Sequence, residues 1–249
     1  GAIPGGAGDW GFMSDNYPTR ESYSVYGQTT YNAADNLRLI AGARYTDDSV
    51  DSYVNNFFGG QIGNLDKTST ETTGRVAVEY DIDEDTMIYA SFTRGFKPGG
   101  SNLTYGYTEA EDAAMGNAIA PPLVLPIFDS ESIAAFEAGL KTDLIDGRLR
   151  ANLAAFFYEY EDLQFQATDP DVFRGGVANI PEAEMKGIEL ELIGIISDSV
   201  TFDVRAAHLD SEVTKNFDTL DNVKANSTIP APPWCSPVGY LGFCYEDLR

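Results

Sequence analysis

Residues 76–102 read VAVEYDIDEDTMIYASFTRGFKPGGSN. In the first run Val76, Val78 and Tyr80 oppose Arg75 and Glu79, an alternation with the period of a β-strand. The acidic turn DIDED (81–85) follows, and IYASF reads as the returning strand. What comes next, RGFKPGGSN, could cradle a phosphate, form a catalytic turn, or simply end the strand. No helix pattern follows whose N-terminus would hold an anion, so the phosphate loop is set aside. Pro98 cannot donate to a ladder and Gly99–Gly100 release the backbone, so a strand ending in a loop is predicted. Phe92 and Arg94 share a parity, which requires a bulge or a mixed face there.

The same alternation recurs along the chain. In LRLIAGARYT, Leu37, Leu39, Ala41, Ala43 and Tyr45 oppose Arg38, Gly42 and Arg44. Ala134, Phe136, Ala138 and Leu140 oppose Glu137 and Lys141; Leu149, Leu153 and Phe157 oppose Arg148, Arg150 and Asn152. Ile188, Leu190 and Leu192 oppose Glu189 and Glu191, and Val200, Phe202 and Val204 oppose Asp203 and Arg205. Each strand has one apolar and one charged face. Short polar turns join them at one end: NAADN (32–36), DIDED (81–85), DLIDG (143–147) and SDS (197–199). At the other end the connections are long, roughly 47–74, 97–131 and 163–184. About eight strands in four hairpins account for the chain.

Composition narrows the class. With 39 acidic against 16 basic residues the formal charge is −23, which excludes nucleic acid as a partner. The plain reading of that charge is solubility and self-repulsion; the other is a surface that recruits cations or faces anions through divalent ions. The 14 Tyr, 14 Phe, 24 Gly and 12 Pro suit an all-β chain. No run approaches the about 18 apolar residues of a spanning helix. GAIPGGAGDW lacks the features of a signal peptide, and the chain begins without Met, as a processed or partial chain would. Cys235 and Cys244, among Pro, Gly and aromatics, suit a small disulfide-closed loop in an oxidising compartment, with two unrelated thiols as the alternative. A zinc site is not expected, because the single His, His208, lies in a separate strand segment.

A soluble sandwich turns its polar face to water and joins its strands by loops of mixed length at both ends. A membrane barrel turns the apolar face to lipid and the charged face to its lumen, with short periplasmic turns and long extracellular loops. The loop asymmetry favours the barrel, and Tyr45, Tyr80, Phe157 and Tyr158 near strand ends fit interfacial aromatic girdles.

The opening stretch resembles the mid-barrel hairpin of TonB-dependent outer-membrane receptors, where a strand of the form Y-A-S-x-S-R-G-F-K-x-G-G-x-N recurs. Tyr89, Ala90, Ser91, Arg94, Gly95, Phe96, Lys97, Gly99, Gly100 and Asn102 match it, and Thr93 stands where the family often has Ser. Residues 23–48, 131–166 and 179–192 resemble further barrel strands of that family in the same order. The resemblance implies an all-β fold: an antiparallel transmembrane barrel of about 22 strands with a plug inside it. Residues 1–249 then read as an internal portion, since no plug, no segment for engaging the energy-coupling protein and no terminal aromatic strand is recognisable. IPAPPWC (229–235) is similar to the Pro-rich lead-in to a further strand. Closure as a small eight-stranded barrel is geometrically allowed, but the family motifs argue against it.

What the resemblance implies about function is uptake of a scarce nutrient, most often a ferric siderophore or similar iron complex, across the outer membrane of a Gram-negative cell. Binding and gating would do the work, with no covalent chemistry and no intrinsic cofactor. Its partners would be the TonB energy-coupling system, reached through the plug, an extracellular small-molecule ligand, and membrane lipid or lipopolysaccharide. Candidate ligand contacts are Arg94 and Lys97 near the lumen mouth and two aromatic pairs suited to stacking, Phe57–Phe58 and Tyr105–Tyr107. Ion pairing with nearby acids is the plainer role for the two cations, and solvated loop contacts for the aromatics. The alternative function is a structural or adhesive surface barrel with calcium-binding acidic loops. Asp47, Asp48 and Asp51, or Glu109, Glu111 and Asp112, offer hard oxygen ligands, though neither group has the spacing of a known calcium loop. An enzyme is not expected, since one His builds no Ser/His/Asp or metal constellation.

Overall fold

The structure, a computed structural model, describes residues 14–56, 60–102, 124–168, 175–215, 217–220 and 245–248. They form strands and turns only: β1 (Ser14–Ala34), β2 (Leu37–Asn56), β3 (Gly60–Asp81), β4 (Thr86–Lys97), β5 (Gly100–Ser101), β6 (Ile127–Phe128), β7 (Glu131–Leu144), β8 (Leu149–Thr168), β9 (Gly175–Ser197), β10 (Val200–Val213), β11 (Phe217–Leu220) and β12 (Tyr245–Leu248). Eight of them make one antiparallel sheet in the order β1-β2-β3-β4-β7-β8-β9-β10. The sheet does not close on itself: β1 and β10 are its margins among the described residues.

The four predicted turns join β1 to β2, β3 to β4, β7 to β8 and β9 to β10. We call their end of the sheet lower. At the β7–β8 turn Ile145, Asp146 and Gly147 all take positive φ (57°, 54° and 75°), and the Arg148 amide donates to the Ile145 carbonyl at 3.1 Å. Positive φ at the central residues gives such a turn the right-handed twist of the strands it joins.

The register carries the two-faced pattern across the whole sheet. One row runs Tyr31, Leu39, Val78, Ala90, Ala138, Ala155, Ile188 and His208, each opposite the next. The row above it includes Ala41, Val76, Phe92, Phe136 and Phe157. Phe92 and Phe136 meet with ring centroids 4.8 Å apart. Among the described residues nothing covers this face: Val76 is 54% exposed, Leu153 48% and Ile188 54%. A water-soluble sandwich would bury such a face; an uncovered apolar face this large calls for lipid. On β2 the apolar stretch runs from Leu37 to Tyr45, matching the about 9–11 residues a tilted strand needs to cross a bilayer.

Two expectations are revised and one is narrowed. The strands continue far above the apolar stretch, β2 to Asn56 and β3 from Gly60, β8 to Thr168 and β9 from Gly175, so most of 47–74 and 163–184 is ladder, not loop. Above the bilayer level both faces meet polar surroundings, so alternation lapses while the backbone pairing goes on. β4 pairs with β3 and β7 without a register shift, so Phe92 and Arg94 share a mixed face and no bulge forms. Tyr158 lies on the charged face, its ring 4.8 Å from that of Phe156, and only Phe157 of that dipeptide belongs to an outward aromatic girdle.

Candidate functional site: the charged face and its brace

Opposite the apolar face, charged side chains pair across strands. Arg38 Nε donates to Glu79 Oε2 at 2.9 Å and its Nη1 to Asp81 Oδ2 at 2.5 Å. Tyr89 Oη donates to Glu137 Oε1 at 2.7 Å, and Lys141 Nζ sits 5.4 Å from the centre of the Tyr89 ring. Asn152 Nδ2 donates to Glu191 Oε2 at 2.8 Å while Arg205 Nε reaches Glu191 Oε1 at 2.9 Å. Asn152 Oδ1 is buried without a hydrogen-bond partner among the described residues, directly across from Lys141. The Tyr89 ring lies over Gly139, where an added Cβ would meet Tyr89 Cε1 at 2.6 Å. Only glycine lets the ring lie this close to the strand.

At the upper end the opening stretch is not a free loop. β4 stops at Lys97, Pro98 and Gly99 break the ladder, and β5 pairs with β6. The Gly99 amide donates to Ser69 Oγ and Ser130 Oγ, both at 3.2 Å, and Ser52 Oγ lies 2.7 Å from Ser101 Oγ. These contacts tie the turn to β2 and β3; the Lys67–Asp129 ion pair adds to them. From the other side Gln164 Nε2 donates to the carbonyls of Pro98 (3.0 Å) and Asp129 (3.1 Å). Asn179 exchanges two bonds with the backbone of Asp129, at 2.8 and 3.0 Å. Asn102, 4% exposed, donates to the carbonyls of Leu125 and Val177 and accepts from the Val177 amide. Beneath it Val124, Ala167, Ala178 and Ile180 form a small buried cluster. Residues 97–102 and 124–130 therefore brace the tall β1–β2–β3 arm against the tall β8–β9 hairpin. At Gly99 the approach is close enough that a Cβ would sit 2.5 Å from the Phe128 carbonyl oxygen.

The candidate residues separate on this frame. Lys97, opposite Glu131 in the ladder, lies on the charged face, and its ammonium makes no ion pair among the described residues. Arg94 does not join it. It shares the apolar face with Ile88 and Phe92, opposite Gly74 and Ala134, and so points away from the lumen side. Asp47, Asp48 and Asp51 are not brought together: the Asp48 carboxylate is engaged by Arg20 at 2.7 Å on the charged side, while Asp47 faces the other way and takes Thr70 Oγ1 at 3.2 Å. Among the described residues no group of three His, Cys, Asp or Glu side chains is placed to hold a metal ion. Phe57, Phe58, Tyr105, Tyr107, Glu109, Glu111, Asp112, Cys235 and Cys244 lie outside the described residues. His208 sits on the apolar face opposite Ile188. The brace residues Ser52 and Ser69 carried no signal in the sequence beyond being polar, and Gln164 and Asn179 lay in family-like segments that did not announce this role.

Asp162, at φ 53° and exposed, has its carboxyl pushed above the usual range by partial desolvation and then by the neighbouring Asp129 and Glu161. Its carbonyl accepts from Asn179 Nδ2 at 2.7 Å.

A staggered antiparallel sheet with an uncovered apolar belt, an ion-paired opposite face and a braced upper end is the wall of an outer-membrane β-barrel. The comparisons agree. Residues 2–240 match the family model described as TonB dependent receptor-like, beta-barrel, and the chain belongs to that family. It is similar to the pesticin receptor of Yersinia enterocolitica, 24% identical over 205 residues, covering 82% of this chain and 28% of that protein. It is also similar to the probable TonB-dependent siderophore receptor PiuA of Acinetobacter baumannii, 30% identical over 58% of this chain and 18% of that protein. The fold is shared with the ferric yersiniabactin uptake receptor FyuA from Yersinia pestis, at a TM-score of 0.64 and 20% identity, over 82% of this chain and 28% of that one. The chain thus spans less than a third of the length of the relatives it matches.

Proposed function

We propose that this chain forms part of the barrel wall of an energy-coupled receptor that takes up a scarce nutrient across the outer membrane. A metal chelate of the ferric siderophore kind is the most fitting cargo. The observation that carries the reading is the two-faced sheet, which is apolar and uncovered on one side and charged on the other. A charged interior face suits a barrel filled by a polar segment of the same protein. The buried, unpartnered Asn152 Oδ1 beside Lys141 supports such an occupant. That segment would be a plug engaging the TonB system, and residues 1–249 would be an internal part of the barrel. The brace at the upper end would hold the extracellular hairpins around the mouth, and Lys97, on the charged side, would meet an anionic cargo. The work is binding and gating, without a covalent step. Membrane lipid would surround the belt. A relative named as a probable siderophore receptor supports the class of cargo without fixing which one.

The test is uptake. Cells lacking the full-length protein are grown under metal limitation and supplied with radiolabelled iron as a panel of chelates. Restored accumulation with the intact gene, abolished when the proton-motive force is collapsed, is the expected result. Unchanged accumulation of every chelate would sink the reading.

A further inference from the structure

Three inward cations are left without an acid in a chain that has 39 acidic residues and 16 basic ones. Arg75 on β3, Lys97 on β4 and Lys141 on β7 lie on the charged face, and none makes an ion pair among the described residues. Carboxylates lie close in the register, but neutral donors engage them. Glu131, opposite Lys97, accepts from the Gln164 amide at 2.9 Å. Glu137, between the levels of Arg75 and Lys141, accepts from Tyr89 Oη at 2.7 Å, and Lys141 rests over the Tyr89 ring instead. A wall that turns its acids away from three bases keeps a strip of positive potential in an otherwise acidic chain, and such a strip concentrates anions.

The three bases fall at three levels. Arg75 is opposite Thr93, four residues below Lys97 on β4, and Lys141 is opposite Met87, six residues lower still. At the rise of a strand the column is about 33 Å long, close to the thickness of the hydrocarbon layer. The Arg75 row continues through the small Thr93 and Ala135 to Tyr158 on β8, and Tyr160 stands on the same face one step above. Neither of these hydroxyls has a hydrogen-bond partner among the described residues, so two phenol donors flank the column of cations.

We propose that this strip is the route along which the cargo passes between the barrel wall and the plug, and that the cargo is an anionic chelate. Lys97 meets it, Arg75 and Lys141 hold it in turn, and the Tyr158 and Tyr160 hydroxyls donate to its ligand oxygens. Bases placed in series hold an anion at each level weakly enough to let it move on, as Arg and Lys do in anion-selective pores. The proposal rests on the uptake reading and adds to it the path and the sign of the cargo's charge.

The test uses the full-length protein in the outer membrane of cells that lack the native copy. Thr93→Cys, opposite Arg75, places a thiol in mid-strip. Its modification by a sulfonate-bearing methanethiosulfonate is compared with that by a trimethylammonium-bearing one, with and without iron chelates and proton-motive force. Protein without the new thiol supplies the background. The anionic reagent should react faster. Adding Arg75→Gln should lower the ratio of the two rates about three-fold, as expected for one nearby unit charge in salt-screened water. Arg75→Lys should keep the ratio. Both variants should still insert, shown by heat-modifiable migration, since Arg75 is exposed and has no ion pair to lose. Of the iron chelates supplied, an anionic catecholate should accumulate and Arg75→Gln should slow it. A thiol that neither reagent reaches, a ratio indifferent to Arg75, or accumulation of uncharged hydroxamates alone overturns the proposal and leaves the uptake reading standing. Accumulation of no chelate by the wild type overturns both.

Discussion

The backbone amide of Gly99 donates to the hydroxyl of Ser69, 30 positions earlier in the chain, at 3.2 Å. That bond fixes the point where β4 leaves the sheet, and Gln164 fixes it from the other side. Replacing Gln164 by Ala removes one amide group from two carbonyls it serves at about ideal distance, those of Pro98 and Asp129. The expected cost is ~1–2 kcal/mol, confined to the brace. Hydrogen exchange checks it: the Gly99 and Asp129 amides should exchange faster, while β7 and β8 amides below Phe157 stay protected. Uniform loss of protection would show that the brace is no separate unit.

Gly139→Ala tests the charged face in the same local way. The new methyl would meet the Tyr89 ring at 2.6 Å and the Leu153 carbonyl oxygen at 2.6 Å, so the ring must leave its place and its bond to Glu137. Overpacking of this kind costs ~1–3 kcal/mol. The midpoint of thermal unfolding in detergent should fall, and the double variant with Tyr89→Ala should recover part of the loss. If the double variant is no better than Gly139→Ala, the contact with the ring is not the cause.

Strand and turn placement was legible because charge and apolarity share a parity in each strand. In KGIELEL the pattern alone puts Ile188 and Leu190 on one face and Glu189 and Glu191 on the other, as the register has them. Above the belt that rule lapses. Asp47 to Asn56 looks like loop because neither face there must be apolar, yet it is paired residue by residue with β3. The brace was illegible for another reason. Its bonds join Ser52 to Ser101 and the Asn102 side chain to the backbone of Val177, partners 49 and 75 positions apart with no periodicity to announce them. Arg94 lay between the two cases: its shared parity with Phe92 was visible, but only the unbroken register of β4 shows that the clash is resolved by an outward arginine.

At the β7–β8 turn, Ile145 holds φ 57° with its side chain 67% exposed. A β-branched residue is strained in that region, whereas Asn adopts it readily and little burial is at stake. Ile145→Asn should therefore stabilise the barrel by ~1 kcal/mol, seen as a higher unfolding midpoint. A drop instead would mean that the exposed isoleucine anchors the turn in the lipid interface.

Asp162 gives the pH test. Its folded pKa is raised, chiefly by partial desolvation and then by Asp129 and Glu161, so the folded state binds its proton more tightly than the unfolded chain does. The resulting penalty on stability is present above the folded pKa and disappears as pH falls below the unfolded carboxylate value. Asp162→Asn keeps a residue tolerant of φ 53° and removes the charge. The variant should unfold at a higher temperature than the wild type at neutral pH, with the gap closing as the medium is acidified through the carboxylate range. Lys215 lies close enough to oppose the shift and Asn179 bonds the same backbone, so a gap that persists unchanged in acid would assign the effect to the backbone rather than to the carboxylate.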